Sequence, residues 1–165
     1  MAKIKIKSPK EIEWIRGAGA LAAETLIRAG ELCKPGVSTL EIDEFIGEYT
    51  IQHGGSSACL GYNGYPKNSC ISLNEVVCHG IPSAGIVLQE GDIVNIDITT
   101  ILNGYHGDTS AMFKVGKVSK EAESLVNAAK ECLEVGIEAA ALPNARYMDI
   151  GEKIILLMFL SKELG

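Results

Sequence analysis

The sequence predicts a mixed α/β fold of the α+β type, with helices packed on a largely antiparallel sheet. Three observations support this: two helical stretches near the N terminus, a strand-turn-strand signal centred on Asn103-Gly104, and two further helical stretches after it. With 165 residues, 47% of them hydrophobic and 22% charged, the chain has the composition of one globular domain that buries a core.

Charge and cysteine content narrow the functional class. The net charge is −6 and the basic residues are scattered, so no nucleic-acid-binding surface is predicted. The five cysteines form no C-x-x-C pair, and no signal peptide precedes them, which indicates reduced thiols in the cytoplasm. The longest apolar run, residues 154–160, is far shorter than the roughly 20 residues that span a bilayer.

Two helices are predicted before residue 55. Residues 8–11 (Ser-Pro-Lys-Glu) supply an N-cap, a proline at the first helical position and a capping glutamate, and apolar residues then recur at helical spacing to about Leu32. After Pro35-Gly36, residues 38–41 form a second capping box, and the helix that follows is predicted to stop at residues 53–55 (His-Gly-Gly).

The central part of the sequence predicts strands. Residues 56–68 read as a structured surface loop, residues 70–77 as a short strand, residues 80–91 as a loop and residues 92–100 as a second strand. Asn103-Gly104 is the strongest two-residue hairpin signal, and the strand after it is predicted to end near Val115.

Two more helices are predicted in the last part of the chain. Ser119 caps a third helix, and a fourth begins near Met148 after Pro143. A shift of 108 positions lays Pro35 on Pro143 and Ile42 on Ile150, which suggests a repeat that stops halfway. We therefore expect one apparently truncated domain, with residues 1–116 as a first half and residues 117–165 as two helices that begin a second.

An incomplete second half has physical consequences. Its strands would pair with the first half's sheet, so without them we expect an open edge of unpaired backbone groups. Residues 154–160 are apolar on every helical face and would need cover.

The hairpin predicts a pair of carboxylates. With the turn at Asn103-Gly104, Thr99 opposes Asp108 and Asp97 opposes Ser110, so the two aspartates share a face as diagonal neighbours about 7 Å apart at Cα. A shared proton, a nearby cation or a bound metal would explain such a pair, and a dinuclear metal site is our preferred interpretation. Two solvated aspartates on an exposed face are the alternative that spacing alone favours.

Two histidines are candidates for the same site. His106 projects to the face of the aspartates, although a β-bulge at Gly107 would turn it away. His79 follows the strand predicted at residues 70–77, where its imidazole could give or take a proton in a cleft. An ordinary turn histidine is the alternative for His79.

Four strings together resemble type I methionine aminopeptidases. They are residues 58–66 (ACLGYNGYP), 70–82 (CISLNEVVCHGIP), 91–97 (GDIVNID) and 104–110 (GYHGDTS), and the likeness is dense over residues 3–115. The resemblance implies a pita-bread fold of two pseudo-symmetric halves around a curved antiparallel sheet. It also implies hydrolytic removal of the initiator methionine from nascent polypeptides.

The resemblance assigns roles to individual residues. Asp97 and Asp108 match two ligands of a dinuclear centre that takes two divalent ions, Co, Mn, Fe or Zn, and His79 matches a catalytic histidine that contacts substrate. Residues that match positions lining the methionine pocket are Cys59, Tyr62, Tyr65 and Cys70. Thiols and rigid rings suit a thioether side chain, and core packing is the alternative, most plainly for Cys70.

The resemblance also implies what lies outside these strings. The family completes its metal site with one histidine and two glutamates, and adds a second catalytic histidine, all from the second half. We therefore expect little activity from this chain alone. A non-catalytic interaction module is the alternative, and a related peptidase that cleaves before proline is a remoter one. The implied partner is the N-terminal methionine of nascent peptides. We further expect association with the ribosome, a monomeric state if the protein is complete, and self-association through the open edge.

Overall fold

The computed structural model describes residues 5–163, and side chains as far as Met158. The helices and strands, in chain order, are α1 Pro9–Gly30, α2 Thr39–Gln52, β1 Ser56–Ser57, a short 3-10 helix Tyr62–Gly64, β2 Cys70–Leu73, β3 Ile93–Leu102, β4 Tyr105–Lys114, α3 Lys120–Ala140 and α4 Tyr147–Glu163. The chain divides into a first compact unit that ends at Val118 and a second that begins at Ser119.

The first unit is built around an antiparallel sheet with β3 at its centre. β1 and β2 both pair with one edge of β3, and β4 pairs with the other edge along its whole length. Within residues 5–163, β4 is paired with β3 only. The predicted mixed α/β architecture with an antiparallel sheet is therefore confirmed.

The helix α1 packs directly on the sheet. A Cβ atom built on Gly107 of β4 would lie 2.3 Å from the carbonyl oxygen of Ala18, so only glycine permits this approach. The apolar core lies between the helices and the sheet and includes Leu26, Ala29, Cys33, Ile42, Ile46, Ile71, Leu88, Val94, Ile96, Ile98 and Val115. Burial of these side chains is the main stabilising contribution to the unit.

Both predicted capping boxes are present. The Ser8 hydroxyl accepts a hydrogen bond from the Glu11 N–H, and the Ser8 N–H donates to the Glu11 carboxylate at 2.8 Å. Ser38 and Glu41 repeat this exchange at the start of α2. Each box satisfies backbone donors that a helix start leaves free, which fixes where α1 and α2 begin.

The Glu11 box predicts a pH dependence of stability. The Ser8 N–H, the Ser8 hydroxyl and the Lys5 ammonium lower the pKa of Glu11 from 4.5 to about 2. Because the folded pKa is below the unfolded one, the stabilisation is complete above pH 4.5 and is lost as pH falls towards 2. We expect Glu11→Gln to lose this part of the acid dependence of the urea midpoint.

The control for this experiment is Glu48→Gln, which changes an exposed glutamate of α2. It should leave the acid dependence as in the unsubstituted chain. A Glu11 carboxyl that titrates at 4.5 in the folded chain, followed by its carbon resonance, would contradict the prediction.

The hairpin has the predicted register. Asn103 and Gly104 both have positive φ, 52° and 79°, as a type I′ turn requires. Thr99 pairs with Asp108 and Asp97 pairs with Ser110, which confirms the pairing derived from turn length. The possible bulge at Gly107 is not there, because Gly107 pairs regularly with Thr100.

The strand predicted at residues 70–77 is wrong in its second half. β2 ends at Leu73, and Val76 and Val77 are exposed, Val77 by 94%. Asn74 takes a positive φ of 48°, its side-chain amide donates to Asp92, and its side-chain oxygen accepts from the Ile93 N–H. These bonds turn the chain out of the sheet.

The second unit is a pair of helices. Ser119 caps α3, as predicted, and α4 begins at Tyr147, one residue before the predicted Met148. Close to Gly136 of α3 lie the side chains of Ile150 and Ile154. Ile155, Leu156 and Met158 are each more than half exposed, and the side chains of residues 159–160, which complete the predicted apolar run, lie outside those described.

No helix in the described part of the chain is long and apolar enough to cross a bilayer.

Candidate functional site

Seven of the eight side chains singled out from the sequence line one cavity of about 580 Å³ in the first unit. They are Cys59, Tyr62, Tyr65, Cys70, His79, Asp97 and Asp108. They come from four places in the chain: the loop after β1, the start of β2, the loop after β2, and the β3–β4 hairpin. The cavity walls are therefore assembled by the sheet pairing described above.

The hairpin supplies the two carboxylates. Asp97 of β3 pairs with Ser110 of β4, and Asp108 lies two residues before Ser110. Because residues two apart on a strand project to the same face, Asp97 and Asp108 share a face of the hairpin. The Thr99 hydroxyl donates to an Asp108 oxygen at 3.2 Å and orients that carboxylate. Asp97 is half-buried and Asp108 is exposed at the cavity rim.

The environment of Asp97 disfavours its charge. Burial raises the pKa of Asp97, the Asp108 carboxylate raises it further, and His79 partly opposes them. None of the described residues that line the cavity is Lys or Arg. Two neighbouring carboxylates with no Lys or Arg among the described lining residues make a site suited to a cation.

The loop that carries His79 is fixed to the strand beside the aspartates. The Ile71 N–H donates to the Gly80 carbonyl at 2.9 Å, and the Gly80 N–H donates to the Ser72 hydroxyl at 3.1 Å. His79 itself has a φ of 55°, a left-handed conformation that is uncommon for residues other than glycine. The loop therefore holds its imidazole at the cavity in a geometry the surrounding bonds maintain.

Tyr65, in the cavity wall, is hydrogen-bonded to the loop that carries His79. Its hydroxyl donates to the carbonyl oxygens of Ser69, at 3.0 Å, and Gly80, at 3.1 Å. Burial and a hydrogen bond with Cys70 raise the pKa of Tyr65, so the phenol stays neutral. The ring is thereby fixed as a rigid side of the cavity.

The thiol of Cys70 is part of the cavity wall. Cys70 is buried, and burial raises the pKa of its thiol, while the bond with Tyr65 opposes this in part. A neutral thiol is a soft, polarizable neighbour for a sulfur-containing side chain.

A buried aspartate positions the segment that leads into β2. Asp43 of α2 is buried and accepts hydrogen bonds from the Ser69 N–H at 2.8 Å and the Ser69 hydroxyl at 2.7 Å. Asn68 donates to the same carboxylate at 3.2 Å. These bonds hold the residues just before Cys70, so α2 sets where the pocket wall begins.

The donor set fits part of a metal site. Asp97 and Asp108 offer carboxylate oxygens, which suit divalent ions, and first-row ions take four or more ligands. Within residues 5–163, no group of three or more His, Cys, Asp or Glu side chains is arranged to hold a metal ion. The two aspartates are thus a partial donor set.

His106 does not join the aspartates at this cavity. It shares their face of the hairpin, as the register predicted. However, His106 pairs with Ile101, four residues after Asp97 on β3, and lines an adjoining cavity together with Ile101.

Sequence reasoning missed several residues of the site. Thr99, Ile81, Asn63, Gly64 and Pro66 also line the cavity. The signal for Thr99 was available, because the predicted register places it directly opposite Asp108. Asn63, Gly64 and Pro66 lie inside the string at residues 58–66, but nothing in their spacing distinguished them. The supporting role of Asp43 depends on a contact with Ser69, 26 residues away, that no local pattern shows.

Comparisons with known proteins agree on a family. The model of metallopeptidase family M24 matches residues 13–159. Methionine aminopeptidase A of Synechocystis is 50% identical over 151 residues, which cover 92% of this chain and 59% of that protein. The methionine aminopeptidase of Escherichia coli K12 is 50% identical over 153 residues, 92% of this chain and 57% of that protein.

A solved structure matches the fold. The crystal structure of methionine aminopeptidase from Rickettsia prowazekii superposes with a TM-score of 0.90 at 41% identity, over 94% of this chain and 62% of that chain. The architecture is thus that of a partial pita-bread fold. The chain spans about three fifths of the length of these relatives.

Proposed function

Because the chain belongs to metallopeptidase family M24, a family that uses divalent metal ions, we propose that it is a methionine aminopeptidase. Its reaction is the hydrolytic removal of the initiator methionine from nascent polypeptides. The observation that carries the proposal is the convergence of the paired aspartates, His79 and the thiol- and tyrosine-lined wall on one cavity.

In this proposal the cavity wall selects the side chain. Cys59, Tyr62, Tyr65 and Cys70 form the pocket that receives methionine, whose unbranched thioether packs against thiols and ring edges. The bonds from Tyr65 to Ser69 and Gly80 keep this wall rigid, so the pocket is formed before substrate enters.

In the same proposal the carboxylates and the imidazole serve the reaction. Asp97 and Asp108 would hold metal, which when bound polarises the scissile carbonyl and activates water for attack. His79, held beside Asp97, contacts the substrate and donates a hydrogen bond to the oxygen that becomes negative, which stabilises the tetrahedral intermediate. Burial of Asp97 strengthens its electrostatic contribution to the site.

The proposal extends to the metal ions, the compartment and the oligomeric state of the protein. The site takes two ions, of Co, Mn, Fe or Zn, and the protein works in the cytoplasm, near the ribosome, as a monomer. Residues 1–116 form the first pseudo-symmetric half. We expect slow turnover by this chain, because Asp97 and Asp108 give fewer ligands than two ions require.

The test is a coupled assay on a Met-Gly-Ser peptide with added Mn²⁺ or Co²⁺. The expected result is slow release of methionine, with no release of alanine from Ala-Gly-Ser and no cleavage of an Xaa-Pro dipeptide. Preferred cleavage of the Xaa-Pro dipeptide would overturn the substrate assignment. Metal binding at the site without any turnover would favour a non-catalytic module.

A further inference from the structure

A second cavity adjoins the one that holds the aspartates. Its volume is about 410 Å³, and the residues that line it are Ala58, Cys59, Tyr62, Thr99, Ile101 and His106. Cys59, Tyr62 and Thr99 also line the first cavity. The two spaces therefore share a wall.

The second cavity continues along the same face of the hairpin. Asp97, Thr99 and Ile101 alternate with core residues of β3 and so project to one face, and His106 opposes Ile101 on β4. Two residues of a strand advance about 7 Å, so Thr99 lies about 7 Å from Asp97 along β3 and Ile101 about twice that. An extended peptide advances at the same rate per residue.

The lining indicates what this space accepts. Ala58, Ile101 and the Tyr62 ring present apolar surface, and no Asp, Glu, Lys or Arg is among the described residues that line it. A basic side chain would lose hydration there without an acidic partner, and an acidic one would meet only the imidazole of His106, whereas an apolar one would exchange water for contact.

We propose that the second cavity binds an apolar side chain of the substrate, that of the third residue, two positions after the methionine. This inference rests on the proposed function, because it takes the scissile bond to lie at the aspartates. From there two residues of extended chain reach the wall formed by Thr99 and Tyr62. Ala58 and Ile101 are then specificity-determining residues that do not touch the methionine.

Binding to the metal-free chain tests this without turnover. The ligands are methionine amide, Met-Gly-Gly amide and Met-Gly-Leu amide. Their binding is followed by the methyl resonances of Ala58 and Ile101, the ring resonances of Tyr65 and the β-carbon resonance of Cys70. We expect methionine amide to shift Tyr65 and Cys70 only. Met-Gly-Leu amide should also shift Ala58 and Ile101 and bind on the order of tenfold more tightly than Met-Gly-Gly amide.

A substitution that fills the second cavity tests the inference by a second route, with a matched control on the surface of α1. Ala58→Phe places a ring in the second cavity and should remove the advantage of leucine over glycine while methionine amide binds as before. Ala23→Phe, the same change on an exposed position of α1, should keep the advantage. The methyl shifts in the unsubstituted chain decide the question even when Ala58→Phe does not fold.

The outcomes separate the two proposals. Equal affinities for the two tripeptides, with Ala58 and Ile101 unshifted while Tyr65 and Cys70 respond, would overturn the second-cavity inference alone. Failure of every ligand to shift Tyr65 and Cys70 would overturn the methionine pocket, and the inference with it.

Discussion

Asp97→Ala is expected to lower kcat/KM for a Met-Gly-Ser peptide at least about a thousandfold and to weaken Mn²⁺ binding by a similar factor. The substitution removes one of the two carboxylates that the hairpin brings to the cavity. It leaves Asp108, anchored by Thr99, as the single acidic side chain of the hairpin there. A loss of several kcal/mol in charge stabilisation corresponds to that factor. The measurements are the coupled assay and a Mn²⁺ titration by calorimetry.

The matched control is Asp149→Ala, which removes an aspartate of α4 that pairs with Arg146 at 3.2 Å. It should change neither turnover nor Mn²⁺ affinity, because a surface ion pair contributes little. Turnover by the Asp97→Ala chain at the level of the unsubstituted chain would show that the activity does not depend on this site.

Gly107→Ala is expected to destabilise the first unit by at least about 3 kcal/mol. Its Cβ would lie 2.3 Å from the Ala18 carbonyl oxygen and 2.4 Å from the Gly19 nitrogen, and both are backbone atoms that no rotamer change can move. The helix α1 must therefore shift away from β4, which loosens the core contacts of the whole helix. Such a loss is a large part of the stability of a typical domain.

The control for this prediction is Gly19→Ala, on the helix side of the same contact. No atom lies within 4 Å of a Cβ built there, so the change should stabilise the chain by about 0.5 to 1 kcal/mol through helix propensity. Urea unfolding followed by circular dichroism measures both variants. A Gly107→Ala chain with the midpoint of the unsubstituted one would contradict the close packing of α1 on β4.

The hairpin and the helix starts were predictable because their signals are local. Positive φ at Asn103-Gly104 fixes the turn, and the period of two along each strand then fixes every pairing to Asp108. Ser8 and Ser38 each lie three residues before a glutamate, and both boxes form. In these places the local sequence and the fold agree.

The remaining features depend on contacts that are distant in sequence. β2 ends early because Asn74 bonds to Asp92, 18 residues later, and a run of β-forming residues carries no sign of this. Spacing alone favoured two solvated aspartates, and the half-burial of Asp97 becomes visible only when β2 and the residue 58–66 loop lie beside it. The adjoining cavity, with Ala58 and His106, was not foreseen, because its walls meet across three chain segments.

The most direct test is where Mn²⁺ binds on the isotope-labelled chain. At substoichiometric Mn²⁺, the resonances of Asp97, Asp108 and His79 should broaden first, since the paramagnetic ion would lie between the two carboxylates. Broadening that instead centres on another acidic surface, such as Glu131 and Glu134 of α3, with Asp97 and Asp108 unaffected, would contradict the assignment of this cavity as the metal site.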